Sequence, residues 1–187
     1  MTTNILSRID QFVIHWCEFQ QAHHHDLLIE QDPEWISPAE QGSANSDGEV
    51  IWGPALQPPS NNLQALVDGL EVTPNPELEA YFTRYFSDNL DAETERGRLQ
   101  LLMPWNQDDF VRLQQNLIAH VMMKRRLRQQ ETLFFAVTDE EDFIISVLNQ
   151  TGEVVLEQVG KEPKEVLAGS LSEFFTQLRP LPYRSVA

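Results

Sequence analysis

The sequence predicts an α+β fold, a mainly antiparallel sheet flanked by helices, in one domain over residues 1–187. The clearest helical periodicity, around 106–128, runs directly into strand-like stretches at 132–137, 143–149 and 153–159. The turns between those stretches are too short for a crossover helix, so the strands pair antiparallel. Amphipathic helical segments before and after need an apolar surface to bury against, and a sheet supplies it.

The elements follow in order. Ile5, Ile9, Phe12, Val13, Trp16 and Phe19 recur at spacings of three and four, which predicts an amphipathic helix over 4–22. Residues 31–62, "QDPEWISPAEQGSANSDGEVIWGPALQPPSNN", hold five of the eleven prolines and predict a long acidic irregular region with one short strand, Glu49 to Trp52. Asn75 and Pro76 then open a helix as N-cap and first helical residue, with Leu78, Tyr81, Phe82 and Tyr85 on its buried stripe. Residues 96–103 read as a strand. Asn106 caps the long helix, Asp108 and Asp109 occupy its positive first turn, and Phe110, Leu113, Leu117 and Val121 make its core face. Lys124, Arg125, Arg126 and Arg128 fall in its last turns, where cations suit the negative end. The acidic run "DEED" at 139–142 forms a solvated tip between the first two meander strands, and Phe143, Ile145 and Val147 share one face of the strand it leads into. Gly152 suits the next turn, Ser170 and Glu173 fit a capping box, and Pro180 stops the last helix.

Charge narrows the function. The chain carries 29 acidic against 13 basic residues, and residues 1–83 hold thirteen of those acids with Arg8 as their one cation. Such a chain is repelled by phosphate backbones and anionic headgroups, so nucleic acid and direct membrane binding are disfavoured and a basic partner is favoured. Solubility alone is the competing account of the acidity. No apolar run reaches the roughly 20 residues that span a bilayer, and no basic stretch precedes an apolar core as in a secretory signal. Cys17 is the only cysteine, which excludes an internal disulfide and leaves a small buried hydrophobe as its reading. The expectation is a cytoplasmic protein.

No motif supports catalysis or a cofactor. "HHHD" at 23–26 has metal-ligating types, but neighbours on a helix splay by about 100° and do not close one coordination sphere. Asp108, Asp109 and His120 share a helix and form the one acid–base trio worth naming; the acids are already explained as dipole partners and His120 as a half-buried packing residue. "DEED" lacks the glycine and alternating oxygens of a calcium loop. Trp35 and Trp52, beside Glu34 and Glu49 in the acidic region, are either partner anchors or core closure beneath a long loop. Asp108, Asp109, Glu140 and Glu141 complete the candidate partner-binding residues.

"WNQDDFVRLQQNLIAHVMMKRRL", then "TLFFAVTDEEDFIISVLNQTGEVVLEQVG" and "LAGSLSEFFTQLRPL", closely resemble the Syd family of SecY-interacting proteins over about 104–182. The likeness continues more loosely through "PELEAYFTRYFSDNL" and "EVIWGPALQP". The resemblance implies a fold of the SMI/KNR-like superfamily, no enzymatic activity and no cofactor. It also implies a concave electronegative surface and loose attachment to the cytoplasmic side of the inner membrane through SecY. Cytoplasmic loops of membrane proteins are rich in Lys and Arg, which agrees with an acidic partner. An immunity-type or adaptor module capturing another basic protein is the alternative.

Overall fold

The computed structural model describes residues 2–183. Helix α1 (Thr2–Ala22) leads into β1 (Leu28–Glu30), β2 (Glu40–Gln41), β3 (Glu49–Trp52) and β4 (Ala55–Leu56). Two short helices follow, α2 (Gln64–Leu70) and α3 (Pro76–Phe82), then β5 (Tyr85–Phe86), β6 (Leu90–Thr94), β7 (Gly97–Leu101) and the long helix α4 (Gln107–Arg126). Strands β8 (Thr132–Thr138), β9 (Phe143–Leu148), β10 (Val154–Gln158) and β11 (Pro163–Ala168), helix α5 (Leu171–Phe175) and β12 (Arg179–Pro180) complete the described chain.

Strands β11-β10-β9-β8-β7-β6-β12 form one sheet, in that order, with every neighbouring pair antiparallel. The predicted α+β class is therefore observed, and the meander expected at 132–159 runs from the middle strand, β8, toward the β11 edge. Strands β6 and β7 close as a hairpin, Thr94 opposite Gly97, where Gly97 takes a φ of 144° that a side chain would strain. The irregular region contains the expected strand at 49–52 as the middle of a small sheet, β1-β3-β2.

Helices cover both faces of the main sheet, and adjacent residues of β8 show the division. Phe134 puts its ring edge against His120 of α4. Phe135 turns the other way, onto Tyr81 of α3 and Phe174 of α5. Helix α1 closes that second layer, with Phe12 edge-on to Phe175 at 5.8 Å. Helix α2 packs on α4, where Gly69 admits Ile118 so closely that an added Cβ would lie 3.1 Å from its Cδ1. Ile145 and Val147 are buried on the α3/α5 side as the alternation predicts, opposite Leu156 and Val154, with Phe143 half-buried at the strand's start.

Local chemistry sets the helix ends. The Asn75 carboxamide oxygen accepts from the Glu77 and Leu78 amides, and Asn106 accepts from the Asp109 amide. Ser170 accepts from the Glu173 amide as the capping box requires, but the Glu173 carboxylate reaches back to Gly169 rather than to Ser170.

Lys124 falls in the last turn of α4 as expected, but it is buried there; none of its side chain is exposed, and Nζ donates to Glu157 Oε2 at 2.9 Å and to the Lys161 carbonyl at 2.7 Å. Lys124 lies seven residues after Leu117, on the buried stripe, whereas Arg125 and Arg126 are exposed. The sequence around 124–128 reads as one cationic cluster because the partner, Glu157, is distant along the chain.

Candidate partner-binding surface

The candidate residues divide among three places. Glu34, Trp35, Asp108 and Asp109 come together where the 32–37 segment meets the start of α4. Asp32 accepts from the Glu34 amide and turns the chain there. Trp105 Nε1 then donates to the Trp35 carbonyl at 3.0 Å, and Asn106 Nδ2 donates to the Ile36 carbonyl at 3.1 Å. Ser37 Oγ donates to the Trp105 carbonyl, completing the stitch. Asp109 Oδ2 accepts from the Trp105 amide at 2.8 Å, and Oδ1 accepts from Arg112 Nη2 at 2.6 Å. The Arg112 guanidinium lies over the Trp35 ring, 5.2 Å from its centroid. Glu34, Asp108, Ile36 and Val111 are exposed nearby. A cleft of about 400 Å³, bordered by Asp109, Arg112, Leu102, Met103 and Asn116, opens beside them.

The second place is the β8–β9 tip. Glu140 and Glu141 are exposed, and the Phe143 amide donates back to the Glu140 carbonyl to close the turn. Asp142 sits at φ 71°, a left-handed conformation that Asp tolerates better than bulkier residues. Beneath the tip lies a cavity of about 250 Å³ whose apolar wall is Leu99, Phe143, Ile145, Leu156 and Leu167. Asp139 and Glu140 stand at its mouth with Arg96 and Arg98, and Arg96 bridges to Glu165 of β11 at 3.1 Å.

Trp52 and Glu49, on β3, are the third. Trp52 is 1% exposed and packs against Trp16, Trp105 and Tyr183, so it closes the core and does not present its ring to a partner. Alternation along β3 explains the difference from Trp35, since Val50 and Trp52 point inward while Ile51 is exposed. The Glu49 carboxylate accepts from Asn45 and braces the turn before the strand.

The sequence reading missed a buried polar group. Glu157 receives Lys124 on one oxygen and the hydroxyls of Thr132 and Ser146 on the other, at 2.6 and 2.8 Å. His120 Nε2 lies 2.9 Å from Thr132 Oγ1 and 3.2 Å from Glu157 Oε1. The Thr132 proton is committed to Glu157, so this network assigns His120 Nε2 as the donor. Burial works to raise the Glu157 pKa, but the hydrogen bonds from His120, Thr132, Lys124 and Ser146 outweigh it and bring it to about 2. The group is enclosed between α4 and the sheet and joins them. A glutamate two residues after Val155, on the same face of an apolar strand, was the available signal.

These placements also dissolve the acid–base trio. His120 turns toward the sheet while Asp109 holds Arg112 and Trp105, and eleven residues along a helix separate them by roughly 16 Å. Among the described residues, no group of three His, Cys, Asp or Glu is placed to hold a metal ion. In "HHHD", His23 Nδ1 is spent on the Phe19 carbonyl at 2.8 Å. Cys17 is partly buried, and desolvation with the nearby Glu18 charge raises its thiol to about 11. No described helix is long and apolar enough to cross a membrane.

Fold and surface together define an acidic α+β protein whose exposed carboxylates stand on a sheet-and-helix frame. The family model for the Syd protein (SUKH-2) matches residues 6–180, and the chain belongs to that family. It is 47% identical over 182 residues to Protein Syd of Alteromonas mediterranea, covering 97% of this chain and 99% of that one. It is 42% identical over 182 residues to Protein Syd of Pseudoalteromonas atlantica, covering 96% and 98%. Protein Syd of Tolumonas auensis is 35% identical over 186 residues, covering 100% and 95%.

Proposed function

We propose that this protein is a non-catalytic binding partner of SecY, engaging the basic cytoplasmic loops of the translocation channel through its acidic surface. The observation that carries the reading is the β8–β9 tip, where Asp139 and Glu140, the first two of four consecutive acids, border an apolar cavity of about 250 Å³. That combination suits a basic loop with one apolar side chain. The acids raise the encounter rate with Lys and Arg, and the cavity desolvates an anchor that slows release. Anionic lipid repels the same surface, so attachment to the membrane is indirect and runs through the channel. Held there, the protein acts as a regulator or quality-control factor of translocase assembly.

A photoreactive residue at position 141 tests the reading in inner-membrane vesicles. Crosslinking to SecY from Glu141, with none from the exposed Ile14 of α1 as control, is the expected result. A probe at 141 that captures no SecY, or captures it no better than one at 14, contradicts the tip as the docking surface.

A further inference from the structure

Arg112 is more than a surface ion pair. Its partner Asp109 is fixed before it arrives, because Oδ2 already accepts from the Trp105 amide. Its other partner, Trp35, is fixed through the backbone by Trp105 Nε1. The guanidinium meets Asp109 Oδ1 through Nη2 at 2.6 Å and Nε at 3.2 Å, and lies over the Trp35 face at 5.2 Å. A carboxylate in line with an aromatic face is the arrangement that selects a guanidinium over an ammonium. The two sides differ in burial: the Asp109 side chain is 18% exposed and that of Arg112 63%. The receptor is sheltered, while its occupant is open to solvent and to competition from another side chain.

We propose that Trp35 and Asp109 form a binding site for an arginine side chain of a partner protein, and that Arg112 occupies it from within until displaced. The inference rests on the reading of this protein as a binder of basic partners and adds a second point of contact, distinct from the β8–β9 tip. On displacement, Arg112 swings into water beside exposed Asp108 while the incoming chain lies along the cleft at Leu102, Met103 and Asn116. Arg112 thereby discriminates, because a side chain that stacks and pairs less well than arginine does not evict it.

Fluorescence anisotropy with labelled peptides of alternating Ser and Arg, or Ser and Lys, tests this at low and physiological salt. Arg112→Ala is expected to bind the arginine peptide about three- to ten-fold more tightly than the wild type, the fold-change corresponding to loss of an exposed stacked ion pair. The gain is expected to be smaller for the lysine peptide and to vanish in Trp35→Ala/Arg112→Ala. Trp35→Phe, which keeps an aromatic face, retains part of it, and thermal melts verify that each variant is folded. Equal or weaker arginine-peptide binding by Arg112→Ala overturns the proposal, as does a gain that survives removal of Trp35. Capture of SecY from position 141 with no effect of Arg112→Ala on the peptides sinks this inference alone and leaves the proposed function standing.

Discussion

Lys124 and Glu157 show how much one buried pair demands of its surroundings. Both side chains are essentially inaccessible, 0% and 1% exposed, and each desolvated charge costs several kcal/mol unless fully matched. Here Glu157 has four polar neighbours and Lys124 has two. Lys124→Met is therefore expected to cost about 3–5 kcal/mol in urea unfolding, because it strands a carboxylate, while Lys124→Met with Glu157→Leu recovers much of that loss. A single-variant cost below about 1 kcal/mol contradicts the matched-pair account. The pH dependence follows from the same group. Its folded pKa of about 2 lies below the ordinary 4.5, so its contribution is complete above the unfolded value and is lost as pH falls from there through 2. That difference corresponds to about 3 kcal/mol, and Glu157→Gln is expected to flatten the acid limb of a stability–pH curve between about pH 5 and 2. None of this was legible at position 124, where four neighbouring cations hid the one that faces inward. His120 was read as a half-buried packing residue; it is buried, 8% exposed, and donates a hydrogen bond.

At the scale of elements, legibility followed periodicity and caps. Helices α1 and α4 and strands β8 to β10 declare themselves through spacing, and the caps at Asn75, Asn106 and Ser170 all form. Strand β6, "LDAET", does not, since Ala, Asp and Glu are poor strand formers; pairing with β7 and β12 and the bond from Trp16 Nε1 to the Asp91 carbonyl hold it extended. Strand β11 is equally obscure, with a proline at its start and irregular register against β10. The candidate surface was half legible. Trp35 and Asp109 were named separately, but no spacing announces that the 32–37 segment lies against the start of α4. Asn106 is one of the residues that join them, together with Trp105 and Ser37, capping the helix and donating to the Ile36 carbonyl. Asn106→Ala is expected to cost about 1–2 kcal/mol, and to raise amide exchange over 34–37 as well as in the first turn of α4. Exchange raised only within α4 would show that the segment is held by other contacts.

Over the whole molecule, the fold divides its charge unevenly and puts the uses of that charge at separate places. Some acids are consumed internally. Asp10 grips Arg84 through two hydrogen bonds and takes a third from Tyr85, tying α1 to the α3–β5 connection; the Arg84 bond is the main reason its carboxyl sits below the usual range. Others stay in water at the β8–β9 tip and around Glu34 and Asp108. With a net charge of −16, the molecule is repelled by anionic lipid; in the proposed role, attraction to the channel's basic loops has to overcome that repulsion. Interactions between exposed charges are screened over a length of about 8–10 Å near physiological ionic strength, and both effects weaken as salt rises. The most direct measurement is the affinity of the purified protein for SecY-containing proteoliposomes and for protein-free vesicles of the same lipid, each across a salt series. The account predicts binding to the SecY vesicles alone, weakening steeply with salt; equal binding to both vesicles, or an affinity indifferent to salt, contradicts it.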